Sequence, residues 1–450
     1  MGVGLMRGHR TARVAAALIF SLLALMPFAV PVAAASVTFG TPTAVSHFGS
    51  SIDFTQPYSG EAIKSAAILI SIPEDGITLP GVVGPSYVPL KGVGGGSLSF
   101  SLDTSNGNVS PFAPVTGQFE VVLADGTIID GPTVNVVYED DRFTWKTKVG
   151  NVVRLHYIQA SDSFAGQMLS LADAGVAKAA ALFGVHETKP IDYYVYPSQS
   201  SFQQGLSEPG TVGGVALPSY RSCFAVVAPG DTSYAADVMP HEPTHIVFSD
   251  AASNPYHEPP RWLNEGLAQW VSQGYDPSSR SLVDQGSRDG TMPSLLALTD
   301  YFPLDQDRIF MAYAEAVAAV DLLVRTYGKP AIAKLVAAYR GGASDDEAFK
   351  TAFGVDVAGY ASAFMRDNNA TSTKYGPQPA PTSATGGTTS NQNPGTAGPD
   401  GTQTPFAGGS SKAPVDRTVV YTLAGMMALA GFVLLAAALG VVLSARGRAS

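Results

Sequence analysis

His241-Glu242-Pro243-Thr244-His245 spells H-E-x-x-H. On a helix, residues four apart lie on one face, one turn apart, so two such imidazoles can share a tetrahedral zinc ion. Glu242 is turned away from that face and can reach a water held by the ion. As general base it takes the water's proton while zinc lowers the water's pKa towards about 7. Catalytic zinc usually takes three protein ligands and keeps one position open. The candidate third ligand is Glu265, in Arg261-Trp262-Leu263-Asn264-Glu265-Gly266-Leu267-Ala268-Gln269-Trp270. The 19 residues between His245 and Glu265 hold the rest of one helix, a loop containing His257-Glu258-Pro259-Pro260, and the start of an antiparallel helix. Pro260 suits the first turn of that second helix.

The elements around this pair read as α+β. From about Asp141, strands at Val152–Tyr157 and Ile191–Tyr196 flank a helical, alanine-rich stretch, Phe164–Phe183. A strand pair around Val215 and Phe224–Val227 follows. Helices are then expected over Glu242–Ala251, Arg261–Gln273, Arg308–Thr326, Pro330–Tyr339, Asp345–Phe353 and Val357–Arg366. Strands and one helix followed by a block of helices make an α+β domain over residues 141–370. Residues 36–140 differ: short β-rich runs (Ala66–Ile72, Ser97–Leu102, Gly117–Leu123, Thr133–Tyr138) are separated by Gly, Pro, Asn and Asp, and Asp125-Gly126 marks a hairpin. That pattern predicts a small β-sandwich without chemistry of its own, a spacer or binding module.

The two motif segments resemble the gluzincin metallopeptidases, whose pattern is H-E-x-x-H, about 18 residues, then a W-L-N-E-G-[FLM]-A helix. The resemblance is strongest to the peptidase-MA-like branch, in the clan that holds thermolysin and the zinc aminopeptidases, and it covers roughly Phe143 to Arg366. It implies a zincin-like α+β fold, a Zn²⁺ cofactor held by His241, His245 and Glu265, and hydrolysis of peptide bonds with Glu242 as base. It also implies that Tyr313, in Ala312-Tyr313-Ala314-Glu315-Ala316-Val317, donates a hydrogen bond to the tetrahedral oxyanion, although the Lys and Gly of the family's Y-x-K-G-x-x-V segment are missing here.

Two departures modify these expectations. The family has a large aliphatic residue where this chain has Pro243. Proline inside a helix removes a hydrogen bond and clashes with the preceding turn. The helix is therefore expected to start late, with Pro240 as its first residue and Met239 as cap, and an alternative reading is a weakened or inactive zincin-fold cell-surface binding module. Second, the aminopeptidases read a free amine with a Gly-x-Met-Glu-Asn strand. Val212-Gly213-Gly214-Val215-Ala216-Leu217 has no carboxylate, which favours an endopeptidase whose strand pairs an extended peptide. Asp250 is a candidate partner for a zinc histidine, His257 and Glu258 are loop residues that could bind metal, and Cys223 is expected to be a buried hydrophobe.

The ends place this chemistry outside a membrane. Residues 1–35 read as a signal peptide: Arg7, Arg10 and Arg13, then an apolar stretch, then Ala33-Ala34-Ala35. Residues 371–416 form a Gly-, Thr- and Pro-rich stretch expected to be a disordered stalk. Residues 417–444 read as a transmembrane helix, since Val419–Leu443 carries no charge, and residues 445–450, with Arg446 and Arg448, as a cytoplasmic tail. Six of the 27 basic residues sit at these ends, which leaves 21 against 37 acidic residues, a net charge of −16 between them. An acidic body argues against nucleic acid as a partner. The expectation is a membrane-tethered ectodomain acting on peptide or protein substrates outside the cell.

Overall fold

A computed structural model of the chain describes residues 36–73, 86–206, 213–303 and 306–370. The expected signal peptide, stalk, transmembrane helix and tail lie outside the described residues. Among the described residues no helix is long and apolar enough to cross a membrane.

The first region is the expected sandwich. Its strands are β1 (Val37–Phe39), β2 (Thr43–His47), β3 (Ser51–Gly60), β4 (Ile63–Ser71), β5 (Ser86–Pro89), β6 (Ser97–Asp103), β7 (Pro114–Leu123) and β8 (Ile128–Val137). One sheet centres on β3, which pairs with β6 along one edge and with β1 and β2 along the other. The second sheet runs β5-β4-β7-β8, all antiparallel. Alternation along β7 turns Val115, Phe119, Val121 and Leu123 inward, where they meet Ile52, Phe54, Ile68 and Leu98. The hairpin falls at Asp125-Gly126: Gly126 has φ 90°, and the Asp125 carboxylate accepts from the Thr127 amide at 2.9 Å. His47 is an exposed residue paired with Asp53 at 3.4 Å, not part of any site.

The second region continues with β9 (Lys146–Val149), β10 (Val153–Tyr157), α1 (Asp162–Phe183), β11 (Ile191–Tyr196), α2 (Gln199–Leu206), β12 (Gly214–Leu217) and β13 (Ser222–Val226). The helical block follows: α3 (Thr232–Ala252), α4 (Arg261–Ser272), α5 (Pro277–Asp289), α6 (Gln306–Tyr327), α7 (Lys329–Arg340), α8 (Asp345–Phe353) and α9 (Val357–Asp367). The sheet order is β12-β13-β11-β10-β9, with β10, β11 and β13 parallel and both outer strands antiparallel. The molecule is thus α+β, as its element pattern implies.

Helix α1 starts at the Ser161 cap and ends at Gly184, in the left-handed conformation. Its buried residues, Ala165, Met168, Ala172, Val176 and Ala179 among them, recur every three or four positions and form a stripe that packs on α3. A single apolar core joins α1, α3, α4, α6 and the sheet. Two short helices had no counterpart in the sequence pattern. Helix α5 buries only Ser279, Val283 and Gly286, so its stripe carries one apolar side chain. Helix α2 is eight residues long and largely polar.

The two regions meet through aromatic side chains. Phe112 stacks on Tyr194 with centroids 3.8 Å apart, and Trp145 meets Tyr194 and Tyr196 edge-on. Asp140, fully buried, pairs with Arg142 at 2.6 Å and accepts from the Tyr196 hydroxyl at 2.9 Å.

Candidate metal centre

Helix α3 corrects the expected start. It begins at Thr232, capped by the Asp231 carboxylate, which accepts from the Tyr234 amide at 3.0 Å, and it runs through both Pro240 and Pro243. The neighbours explain how. The bond lost at Pro240 would have used the carbonyl of Ala236, an exposed residue that water can serve. Pro243 leaves the Met239 carbonyl without its helical donor. The carbonyls on either side of it are served additionally by side chains, Val238 by the Tyr193 hydroxyl from β11 at 3.0 Å and Pro240 by the Thr244 hydroxyl at 2.8 Å. Room for the first ring comes from α1: a Cβ on Gly175 would stand 2.6 Å from the Pro240 Cα. The helix therefore stays continuous, and His241 and His245 share a face with their Nε2 atoms 3.2 Å apart.

Helix α4 starts after Pro260, whose φ of −57° and ψ of 142° make it the N-terminal flanking residue. Trp262, Leu263 and Leu267 are buried and anchor the helix. That orientation aims Glu265 back at α3. Its Oε2 lies 3.7 Å from His241 Nε2 and 3.6 Å from His245 Nε2. A tetrahedral zinc ion with bonds of about 2.1 Å needs donors about 3.4 Å apart. The three observed separations bracket that value, Oε2 has no hydrogen-bond partner, and all three residues are buried. The His-His-Glu cluster fits Zn²⁺.

Asn264 was part of the sequence motif without an assigned role. Its Oδ1 sits 2.8 Å from His245 Nδ1. With Nδ1–H donating to that oxygen, Nε2 carries its lone pair into the cluster. Asp250, the candidate for such a role, instead forms an ion pair with Arg221. His257 also lies outside the cluster: its Nε2 is 2.7 Å from Asp345 Oδ1, tying the loop after α3 to the start of α8. Cys223 is fully buried in β13, and burial raises its thiol pKa well above the usual value, which makes it inert.

Burial dominates the electrostatics. It pushes His241 down to about 3 and His245 to about 4, so both imidazoles are neutral, the ligating form. It raises Glu265, against which His245, Arg261 and Tyr313 act. Glu242 is fully buried, and burial followed by the charge of Glu265 raises its pKa well above the carboxylate range. Neither of its oxygens has a hydrogen-bond partner. It faces the edge strand β12: a Cβ on Gly214 would stand 2.3 Å from Glu242 Oε1, so the glycine lets strand and carboxylate touch. Tyr313 comes from α6. It is buried, edge-on to Phe302 at 5.0 Å, and its hydroxyl approaches Glu265 and Arg261 without closing a well-shaped bond to either. Burial raises its pKa, so it keeps its proton.

Residues 171–367 match the family model of the Peptidase MA superfamily. No curated protein matches the chain. Among solved structures, the chain is similar to an aminopeptidase N family protein from Idiomarina loihiensis, with 10% identity, a TM-score of 0.40 and 76% of each chain covered. It is also similar to an M1 zinc metallopeptidase from Deinococcus radiodurans, with 12% identity and a TM-score of 0.34, over 77% of this chain and 97% of that one. The stretch similar to the Peptidase MA superfamily model, residues 171–367, carries His241, Glu242, His245, Glu265 and Tyr313.

Proposed function

We propose that the chain is a zinc-dependent peptidase. The observation that carries this reading is the convergence of His241, His245 and Glu265, all buried, from two helices, with donor atoms 3.2–3.7 Å apart and Glu242 beside them as a second, uncommitted carboxylate. When bound, zinc supplies Lewis acidity, which polarises a peptide carbonyl and acidifies water. Glu242 accepts the proton of the attacking water as the new C–O bond forms, then delivers it to the departing amine as the C–N bond breaks. Both of its oxygens are without a hydrogen-bond partner, which leaves the carboxylate free for these transfers. Tyr313 keeps its proton and offers the hydroxyl to the oxyanion. Strand β12 contacts Glu242 through Gly214 and pairs with β13 on one side, which leaves backbone groups of an edge strand to pair an extended substrate.

The absence of a carboxylate in Gly213–Leu217 supports internal cleavage over trimming from a free amine. The basic and apolar N-terminal segment, together with the uncharged stretch Val419–Leu443, supports an exported ectodomain held to the membrane by its C-terminal end. The test is zinc content and cleavage of an N-terminally blocked peptide library. One zinc per chain, none in His245→Ala, and cleavage that needs the metal are expected. Protein that takes up no zinc after reconstitution would overturn the reading.

A further inference from the structure

Arg261 opens helix α4, and nothing in the ligand motif asks for it. A cation in the first turn of a helix stands against the positive end of the helix dipole, so the position has a cost. Yet the residue is held at both ends. Its amide donates to the Thr299 carbonyl at 2.7 Å, and its guanidinium lies 5.4 Å from the centre of the Phe302 ring. The guanidinium then meets the carboxylate that completes the metal cluster. Arg261 Nη2 lies 3.5 Å from Glu265 Oε1, four residues on, while Glu265 Oε2 faces both histidines. The two oxygens of one carboxylate are thus divided between a guanidinium and a metal cluster. On the same side, Phe302 packs edge-on against Tyr313.

We infer that Arg261 is a positioning residue that holds Glu265 as a one-oxygen zinc ligand and so keeps a coordination place open for the reacting groups. The inference rests on the zinc-peptidase reading and deepens it. A carboxylate can bind zinc through one oxygen or through two. Two histidines and a two-oxygen carboxylate fill four places, whereas a one-oxygen carboxylate leaves the fourth to water or substrate. An arginine is suited to this task because its planar fork matches a carboxylate and never loses its charge. Its contact with Phe302 keeps it from swinging into the site.

The test replaces zinc with cobalt(II) in the full chain and compares wild type with Arg261→Met and Arg261→Lys. The visible absorption of cobalt reports coordination number, and a merely structural substitution would leave it alone. The expected result is an intense four-coordinate spectrum in the wild type that weakens in Arg261→Met, with kcat lower by about tenfold and KM changed by less than about threefold. Arg261→Lys, which keeps the charge without the fork, should recover part of the spectrum and part of kcat. It also keeps the comparison open if Arg261→Met fails to fold. Cobalt spectra and kcat identical to wild type in the folded variants would overturn the inference and leave the peptidase reading standing. A wild type that binds neither zinc nor cobalt would overturn both.

Discussion

Asn264 Oδ1 lies 2.8 Å from Nδ1 of His245, one residue before the carboxylate of Glu265 on the same helix. One turn of α4 therefore supplies both a donor atom for the metal and the group that sets the tautomer of another. Replacing Asn264 by Leu keeps volume and removes the acceptor. Zinc affinity should fall about 10- to 100-fold. Competition against a chelator of known strength measures it, and an unchanged affinity would remove Asn264 from the site.

Glu242 can be altered without touching the ligands. Glu242→Gln has nearly the same shape and no basicity. Zinc content should remain at one per chain while kcat drops by about a thousandfold or more. Single-turnover assays on metal-loaded protein check this, and equal turnover would exclude Glu242 as the base.

Gly175 holds open the space that Pro240 uses. The nearest atoms to an added Cβ are the Pro240 Cα at 2.6 Å, Cβ at 2.7 Å and carbonyl oxygen at 2.9 Å, all fixed by the backbone, so rotamer changes cannot relieve the clash. Gly175→Ala should destabilise the fold by roughly 1–3 kcal/mol, despite the better helix propensity of alanine. Pro240→Ala in the same chain keeps the Cα, Cβ and carbonyl that meet the added methyl, so it should recover little of the loss. Urea unfolding of the single and double variants measures both terms.

Glu315 on α6 is fully buried, both its oxygens lack partners, and burial raises its pKa well above the usual carboxylate value. The folded chain thus holds a proton that the unfolded chain releases near 4.5. Its contribution to stability is complete below that pH and is lost as pH rises towards the folded value. The cost is up to about 1.4 kcal/mol per pH unit. Glu315→Gln should flatten the decline in unfolding free energy as pH rises above the ordinary carboxylate range, by as much as that slope. A pH slope identical to wild type would show that Glu315 has found a partner.

The parts of this protein readable from the chain are those ruled by local geometry. Helical spacing puts His241 and His245 on one face whatever surrounds them, and the W-L-N-E segment sets Glu265 at the distance an antiparallel helix needs. The helices over Asp345–Phe353 and the strand at Ile191–Tyr196 follow from capping and β-branched or aromatic runs, and the structure has them at those bounds. Tertiary contacts decided the rest. Local rules place the start of the ligand helix at Pro240, yet it begins at Thr232, with Gly175 of α1, more than 40 residues earlier, making room for Pro240. Along the chain Asp250 is the candidate for orienting a histidine, yet the fold hands it to Arg221 and brings Asn264 to His245. Proline cost and hydrogen-bond choice depend on which atoms lie across the core, and spacing along the chain does not contain that information.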